Sequence, residues 1–153
     1  MNQIQDQITQ TRYPKFWDAT FKNPITKNYK ISFCTTCMGR LYNLRETLPK
    51  NIEANKSYHN VEFVIIDYNS KDGLWDWMKE SMHKEIDTGI VSYYRTTEPK
   101  YFSMSHSRNI AFKVANGDIV NNLDADNYTI STNKQNSECW ASYLNRLANQ
   151  QHE

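Results

Sequence analysis

The segment that most constrains the fold is a run rich in β-branched residues, from Val61 to Ile66, which ends at Asp67. A near-continuous apolar run of strand length is typical of a strand buried on both faces of a parallel sheet. Three further strand-type segments alternate with helix-type segments: Ile31 to Cys34, Ile90 to Thr96 and Ile119 to Leu123. This alternation predicts an α/β fold in which helices cover both faces of a mainly parallel sheet, giving three layers, α/β/α.

Composition narrows the class of protein. The chain has 153 residues, which fits one folded domain, and its net charge of +1 comes from 18 basic and 17 acidic side chains. So balanced a charge gives no field that favours a nucleic acid or a membrane surface. No run approaches the roughly 20 apolar residues of a transmembrane helix, and the polar N-terminus lacks the apolar core of a signal peptide. We therefore expect a cytoplasmic protein with no nucleic-acid partner and no transmembrane segment.

Two carboxylates, Asp124 and Asp126, follow the last predicted strand. Two residues apart on an extended chain, they project to the same side at a separation of about 6.5 Å. Like charges held that close repel unless a cation or a set of donors lies between them. An oxygen-only site of this kind suits a hard divalent ion, Mg²⁺ or Mn²⁺. The alternative is a solvated turn rich in Asp and Asn, but ligands of open α/β sheets bind at the carboxyl ends of strands, where this pair lies.

The helix before that strand carries a further candidate, Arg108. A basic side chain near the first amides of a helix suits a diphosphate or a base carbonyl, and the alternative is a surface ion pair. Gly117 follows the helix and is predicted to cap it in a left-handed conformation. Asn121 and Asn122 are unusually polar for a strand, which indicates that one of them faces a polar cleft.

Taken in order, these motifs resemble the donor-binding core of family 2 glycosyltransferases. The matching residues are Arg108-Asn109, Gly117, the Asp124-Ala125-Asp126 turn, and the stretch Asp67-Tyr68-Asn69-Ser70-Lys71-Asp72-Gly73. The resemblance covers roughly Tyr29 to Tyr128 and stops short of the family's second half. It implies a Rossmann-like nucleotide-diphospho-sugar transferase fold, GT-A, in truncated form.

The resemblance also implies roles for single residues. Asp126 would contact the metal, Asp124 the ribose and metal-bound water, and Arg108 the base or phosphate side. Asp67 would bind the base, although an Asx turn into the next helix is the alternative for this residue. Tyr68 departs from the family, which has a second Asp here.

In the loop after the first strand, the resemblance implies nucleotide contacts from Thr35 and Thr36. The family's usual Pro-Thr-Tyr-Asn is replaced here by Thr-Thr-Cys-Met. The implied ligands are a nucleotide-diphospho-sugar, a UDP-sugar in our prediction, with Mn²⁺ or Mg²⁺, and a carbohydrate or other hydroxyl acceptor.

The resemblance divides the chain into three parts. Residues 1–28 are an N-terminal extension, residues 29–130 the nucleotide-sugar-binding core, and residues 131–153 a segment ending in a helix. A four-residue spacing of aromatic residues predicts a short helix in the extension: Tyr13, Trp17 and Phe21. The last helix presents apolar residues on one face that invites self-association or a partner: Trp140, Tyr143, Leu144 and Leu147.

Catalytic residues stay unassigned. The family places its general base well downstream of the acidic turn, and Glu138, at the start of a helix, is a poor candidate. We therefore expect donor binding with little transfer. The alternatives are a non-catalytic or partner-completed binding module, and a nucleotidyltransferase, which would want a Gly-rich phosphate loop where only Gly39 is available.

Three cysteines give no disulfide framework. Cys34 and Cys37 form a C-x-x-C pair, but a four-ligand zinc site needs two more ligands, and a thioredoxin-like pair would lie at a helix N-terminus. We predict that both stay as free thiols.

Overall fold

Strands and helices alternate along the chain as the sequence pattern predicts. The structure is a computed structural model that describes residues 27–129 and 138–150. The predicted aromatic helix of the N-terminal extension lies outside these ranges. The elements in chain order are β1 (Ile31–Cys37), α1 (Leu41–Asn55), β2 (Val61–Tyr68), α2 (Leu74–Ser81), α3 (His83–Asp87), β3 (Val91–Thr96), α4 (Met104–Val114), β4 (Ile119–Asn122) and α5 (Trp140–Gln150). Within the described part of the chain, no helix is both long and apolar enough to cross a bilayer.

The four strands form one parallel sheet in the order β3-β2-β1-β4. β1 pairs with β2 from Ile31 through Cys37, but with β4 only from Ile31 through Cys34. Toward the carboxyl end of the sheet, β1 therefore stays paired with β2 after its pairing with β4 has ended.

The apolar run from Val61 to Ile66 forms most of β2, which lies inside the sheet. Its side chains alternate between two clusters, with Phe63 and Ile65 on one face and Val64 and Ile66 on the other. The first cluster is covered by α1, α2 and α5, and the second by α4. Burial on both faces explains the continuous apolar pattern, and the predicted three-layer α/β/α fold is confirmed.

One charged residue interrupts that run without leaving the interior. Glu62 is 2 % exposed, and it accepts hydrogen bonds from the Ser32 hydroxyl at 2.6 Å and the Asn116 amide at 2.7 Å, with the Lys30 ammonium at 3.0 Å. Burial alone would raise the pKa of Glu62, but these donors outweigh it and hold the pKa below its ordinary value of 4.5. The carboxylate ties β1, β2 and the α4–β4 connection together at the amino end of the sheet.

Gly117 belongs to the same junction, and its predicted role is wrong. Its φ is not positive, and α4 ends at Val114 with Ala115 already extended at φ −67° and ψ 141°. A Cβ on Gly117 would lie 2.3 Å from the Ser32 Oγ and 2.9 Å from the Lys30 carbonyl oxygen. The glycine is therefore required because two backbones approach closely, and not because a helix ends in a left-handed turn.

Helix α5 docks through amide side chains. Asn145 Oδ1 accepts from the Tyr29 amide at 2.9 Å, and Asn149 Oδ1 accepts from the Lys27 amide at 2.9 Å. Leu144 packs against the core, whereas Trp140 stays 40 % exposed and stacks on Tyr143. The exposed apolar face predicted for this helix is therefore smaller than its sequence indicates.

The cysteine pair is split between the two faces of the sheet. Cys34 lies in the α4-side cluster and Cys37 in the opposite one, and both are free. Opposite faces exclude a bridge between them, as predicted. Burial raises the pKa of each thiol from 9.0 to about 12.

In the folded protein, Cys34 and Cys37 should resist alkylation. A pKa rise from 9.0 to about 12 cuts the thiolate fraction about 1000-fold, and the thiolate is the reactive form. At Cys139 burial acts to raise the pKa, but hydrogen bonds from Ser142, Ser57 and Ala141 together outweigh it and lower the pKa, so this thiol should react first. Mass spectrometry after iodoacetamide treatment at about pH 8 checks the order. The denatured chain, in which all three should react alike, is the control, and faster labelling of Cys34 or Cys37 would contradict the prediction.

Candidate functional site

A cleft of about 330 Å³ opens at the carboxyl end of the sheet, between the ends of β1 and β4. Parallel strands bring their carboxyl ends to one edge, and this edge is where ligands of open α/β sheets bind. The walls come from the end of β1, the start of α1, the start of α4 and the turn after β4: Thr36, Met38, Arg40, Asn43, Phe102, Met104, Arg108, Asp124, Ala125 and Asp126. Of the residues predicted from the sequence, Thr36, Arg108, Asp124 and Asp126 meet in this one cleft.

Asp124 is held in place by two donors. The Arg108 Nη2 donates to its Oδ1 at 2.8 Å, and the Asn122 Nδ2 donates to the same oxygen at 2.9 Å. The hydrogen bond from Asn122 lowers the pKa of Asp124, and together with the Arg108 guanidinium it outweighs the rise caused by partial burial. This bond accounts for one of the two asparagines at the end of β4, because Asn122 fixes the position of Asp124.

Asp126 differs from Asp124 in the contacts of its carboxylate. It is exposed, and within the described ranges no side chain forms a hydrogen bond or ion pair with its carboxylate. The turn between the two acids is closed by the Asn127 amide, which donates to the Asp124 carbonyl at 2.9 Å. One acid is therefore engaged and the other is available to a ligand.

This donor set fits a hard divalent cation that shares its ligands with a substrate. Both carboxylates of the turn line the same cleft. Within residues 27–129 and 138–150, no cluster of three or more His, Cys, Asp or Glu side chains forms a complete metal cage. Mg²⁺ is commonly held by one or two carboxylates plus waters and substrate phosphates, which is the arrangement that these residues allow.

Asp67 lies outside the cleft and is 0 % exposed. Its Oδ1 accepts from the Ser70 amide at 2.7 Å, and its Oδ2 accepts from the Tyr93 hydroxyl at 2.6 Å and lies 3.3 Å from the Arg95 Nε. Burial, reinforced by the hydrogen bond to Asp67, raises the pKa of Tyr93. The bond to the Ser70 amide, three residues on, is a local side-chain-to-backbone contact, which is closer to the turn that the sequence left open for this residue than to a base contact.

Thr35 also lies away from the cleft, although its neighbour Thr36 lines it. Thr35 is 2 % exposed, and its hydroxyl donates to the Leu123 carbonyl at 2.7 Å. Successive side chains of a strand point to opposite faces, so only one of two adjacent threonines can face the cleft. Thr35 instead fastens the chain just before the acidic turn.

The remainder of the Asp67–Gly73 motif caps helix α1. Asp72 Oδ2 accepts from the Leu41 amide at 2.7 Å, whereas Arg40 at the helix start supplies no cap of its own. The Ser70 hydroxyl donates to Asp72 Oδ1 at 2.8 Å and accepts from the Gly39 amide at 2.7 Å. An acid from a neighbouring loop thus satisfies amides that a helix N-terminus leaves open.

Sequence reasoning missed half of the cleft. Arg40 follows Gly39, whose φ of +66° turns the chain back toward the sheet end, and no described side chain pairs with its guanidinium. Phe102 packs edge-on against Tyr68, with ring centroids 5.9 Å apart. Tyr68 in turn shares a 2.6 Å hydrogen bond with His106 Nδ1, so this departure from the family supports an aromatic wall. The sequence did carry one signal for Arg40: it lies just past the carboxyl end of a predicted strand, where ligands of such sheets bind.

Comparison with known proteins identifies the family. The model of the family described as glycosyl transferase family 2 matches residues 32–130. The chain belongs to glycosyl transferase family 2. It is 28% identical, over 97 residues, to the Escherichia coli UDP-Glc:alpha-D-GlcNAc-diphosphoundecaprenol beta-1,3-glucosyltransferase WfaP, covering 62% of this chain and 36% of that protein.

Solved structures place this family 2 chain in the GT-A fold. The mannosyltransferase PcManGT from Pyrobaculum calidifontis, in complex with GDP-Man and Mn²⁺, superposes with a TM-score of 0.63 at 22% identity, over 82% of this chain and 34% of that one. S. aureus TarS 1-349 in complex with UDP-GlcNAc gives a TM-score of 0.57 at 20% identity, over 78% and 30%. The predicted fold is confirmed, and the chain spans about a third of the length of these proteins.

Proposed function

We propose that this chain binds a nucleotide-diphospho-sugar, a UDP-sugar, together with Mn²⁺ or Mg²⁺, for transfer of the sugar to a carbohydrate or other hydroxyl acceptor. The observation that carries the proposal is the pair of carboxylates, Asp124 and Asp126, in one cleft with Arg108 and Thr36. Family membership supports it, as do relatives whose names or ligands include UDP-Glc, UDP-GlcNAc, GDP-Man and Mn²⁺.

The two acids take different parts in this proposal. Asp126, which is unpaired among the described residues, would hold the metal, and Asp124, fixed by Arg108, would serve the ribose and complete the metal site. A bound divalent ion offsets the negative charge that builds on a departing diphosphate. Arg108 would orient Asp124 and keep a positive charge beside it.

The walls of the cleft would receive the rest of the donor. Arg40 offers a guanidinium that has no partner among the described residues and suits an anionic phosphate, and Thr36 offers a hydroxyl at the end of β1. The Asp67 carboxylate is 0 % exposed and enclosed by Ser70, Tyr93 and Arg95, so a base could reach it only if one of these groups moved. We therefore place the base against the Thr36 side of the cleft.

No general base is assigned. Glu138, just before the start of α5, does not line the cleft, and its carboxylate lies 3.1 Å from the Arg146 guanidinium. Asp124 and Asp126 are both committed to the donor in this proposal. A module that binds the donor and is completed by a partner is the alternative, and incubating the chain with a UDP-sugar, Mn²⁺ and a panel of acceptors separates it from a full transferase.

Calorimetry with UDP, in Mn²⁺ and again in EDTA, tests the proposal. UDP should bind more tightly in Mn²⁺, because the cation lowers the repulsion between the acidic turn and the diphosphate. GDP is the matched control for the choice of base. Equal UDP affinity in the two buffers would remove the metal from the proposal, and no binding of either nucleotide would contradict the proposed function itself.

A further inference from the structure

One face of helix α1 is polar although it is buried. Thr47, Asn51 and Asn55 recur at four-residue spacing and are 3%, 2% and 0% exposed. Burying polar side chains is unfavourable unless they are hydrogen-bonded, so their partners show what this polar face does.

The partners are backbone groups of the segment that leaves the acidic turn. The Thr47 hydroxyl donates to the Ala125 carbonyl at 2.7 Å, and Asn51 Nδ2 donates to the Asn127 carbonyl at 2.9 Å. Asn51 Oδ1 accepts from the Thr129 amide at 2.7 Å. The contacts to Ala125 and Asn127 lie on either side of Asp126.

Asn55 continues the pattern by one more turn. Its Nδ2 donates to the Thr129 hydroxyl at 2.7 Å, and its Oδ1 accepts from the Ala141 amide at 2.9 Å. Successive turns of α1 thus meet successive parts of this segment: Thr47 meets the Ala125 carbonyl, Asn51 the Asn127 carbonyl, and Asn55 the Thr129 hydroxyl.

We infer that Thr47 and Asn51 are positioning residues for the acidic turn. They fix the carbonyls of Ala125 and Asn127, and so set where the intervening Asp126 carboxylate lies relative to Asp124. This inference rests on the proposed function, because it concerns the same metal and nucleotide site. Neither side chain touches the cleft, so each acts only through the backbone that it holds.

Of these two residues, Thr47 is better suited to a test by mutation. Its bond to the Ala125 carbonyl, at 2.7 Å, is shorter than its contacts with the carbonyls of its own helix, at 3.3 and 3.5 Å. Thr47→Val keeps the side-chain shape but removes the donor, which leaves a carbonyl of the acidic turn without its partner. Thr47→Ser restores the donor.

The test measures Mn²⁺-dependent UDP affinity by calorimetry in three variants. Thr47→Val should lose about 10–100-fold, the usual effect of removing a group that orients a metal ligand, and Thr47→Ser should bind like the unaltered chain. Leu48→Val is the control for general loosening, because Leu48 is buried on the same helix and packs in the core. Its affinity should stay close to that of the unaltered chain. If Thr47→Val does not fold, Thr47→Ala takes its place under the same criterion.

Amide hydrogen exchange, without any ligand, separates this inference from the proposed function. Thr47→Val should speed exchange in residues 125–129 more than Leu48→Val does, because only the first change releases that segment. If the two variants exchange alike there, or lose UDP affinity alike, the positioning role is wrong. A chain that binds no UDP at all contradicts the proposed function, whereas the exchange result still decides the inference.

Discussion

Asp126→Asn is expected to abolish the Mn²⁺-dependent part of UDP binding, with the affinity in Mn²⁺ falling by at least about 100-fold. Removing a group that only orients a metal ligand typically costs 10–100-fold, so the loss of a ligand should exceed that range. Asp126 is exposed and unpaired among the described residues, so the change should leave the fold intact. Calorimetry in Mn²⁺ and in EDTA measures the effect.

Asp118→Asn is the matched control for that experiment. It removes the same charge eight residues earlier, at the other end of β4, where the carboxylate lies 3.3 Å from Lys27. UDP affinity should be unaffected by this change. If the two variants bind alike in Mn²⁺, or if Asp126→Asn keeps the Mn²⁺ enhancement, Asp126 is not a metal ligand.

Asp67→Ala is expected to destabilise the fold by about 3–5 kcal/mol, the usual cost of breaking a buried pair by removing one partner. The carboxylate is 0 % exposed and joins the end of β2 to Tyr93 and Arg95 of β3. Its loss leaves a hydroxyl and a guanidinium, both partly buried, without their acceptor. The free energy of unfolding in urea measures the effect.

The same variant decides between two roles for Asp67. Asp76→Ala, which removes a carboxylate that is 70% exposed on α2, should leave the stability nearly unchanged and serves as the control. If Asp67 only stabilises the fold, UDP and inorganic diphosphate should lose affinity for the folded Asp67→Ala chain to a similar extent. Near-normal stability combined with a selective loss of UDP binding would instead make Asp67 a base ligand.

The layers of the fold and the acidic turn were predictable because each leaves a local pattern. β2 is buried on both faces, so its sequence is almost continuously apolar. Asp124 and Asp126 follow a strand directly, and the strand direction alone brings them to the ligand-binding edge. Arg108 could be predicted as a site residue because it lies in a motif that the family places before the acidic turn.

What the sequence could not predict depends on contacts between distant segments. Thr35 and Thr36 are both polar and adjacent, and only the facing of β1 in the sheet decides which one lines the cleft. The role of Gly117 comes from the backbone of β1, 85 residues earlier in the chain. Asp67 is closed off by Tyr93, 26 residues later, which no motif around Asp67 reports.

The early end of the β4 ladder has a consequence for how the cleft responds to a ligand. Beyond Cys34, β1 remains paired with β2 by backbone hydrogen bonds. On its other side, β1 is linked to the segment after β4 by the Thr35 hydroxyl. One wall of the cleft is thus part of the sheet, whereas the facing wall, beyond the backbone bond from the Leu123 amide to the Cys34 carbonyl, is held by side-chain hydrogen bonds. Local stability is lowest where few cooperative backbone bonds hold a segment, so a ligand that closes this cleft would move the acidic turn while the sheet stays still.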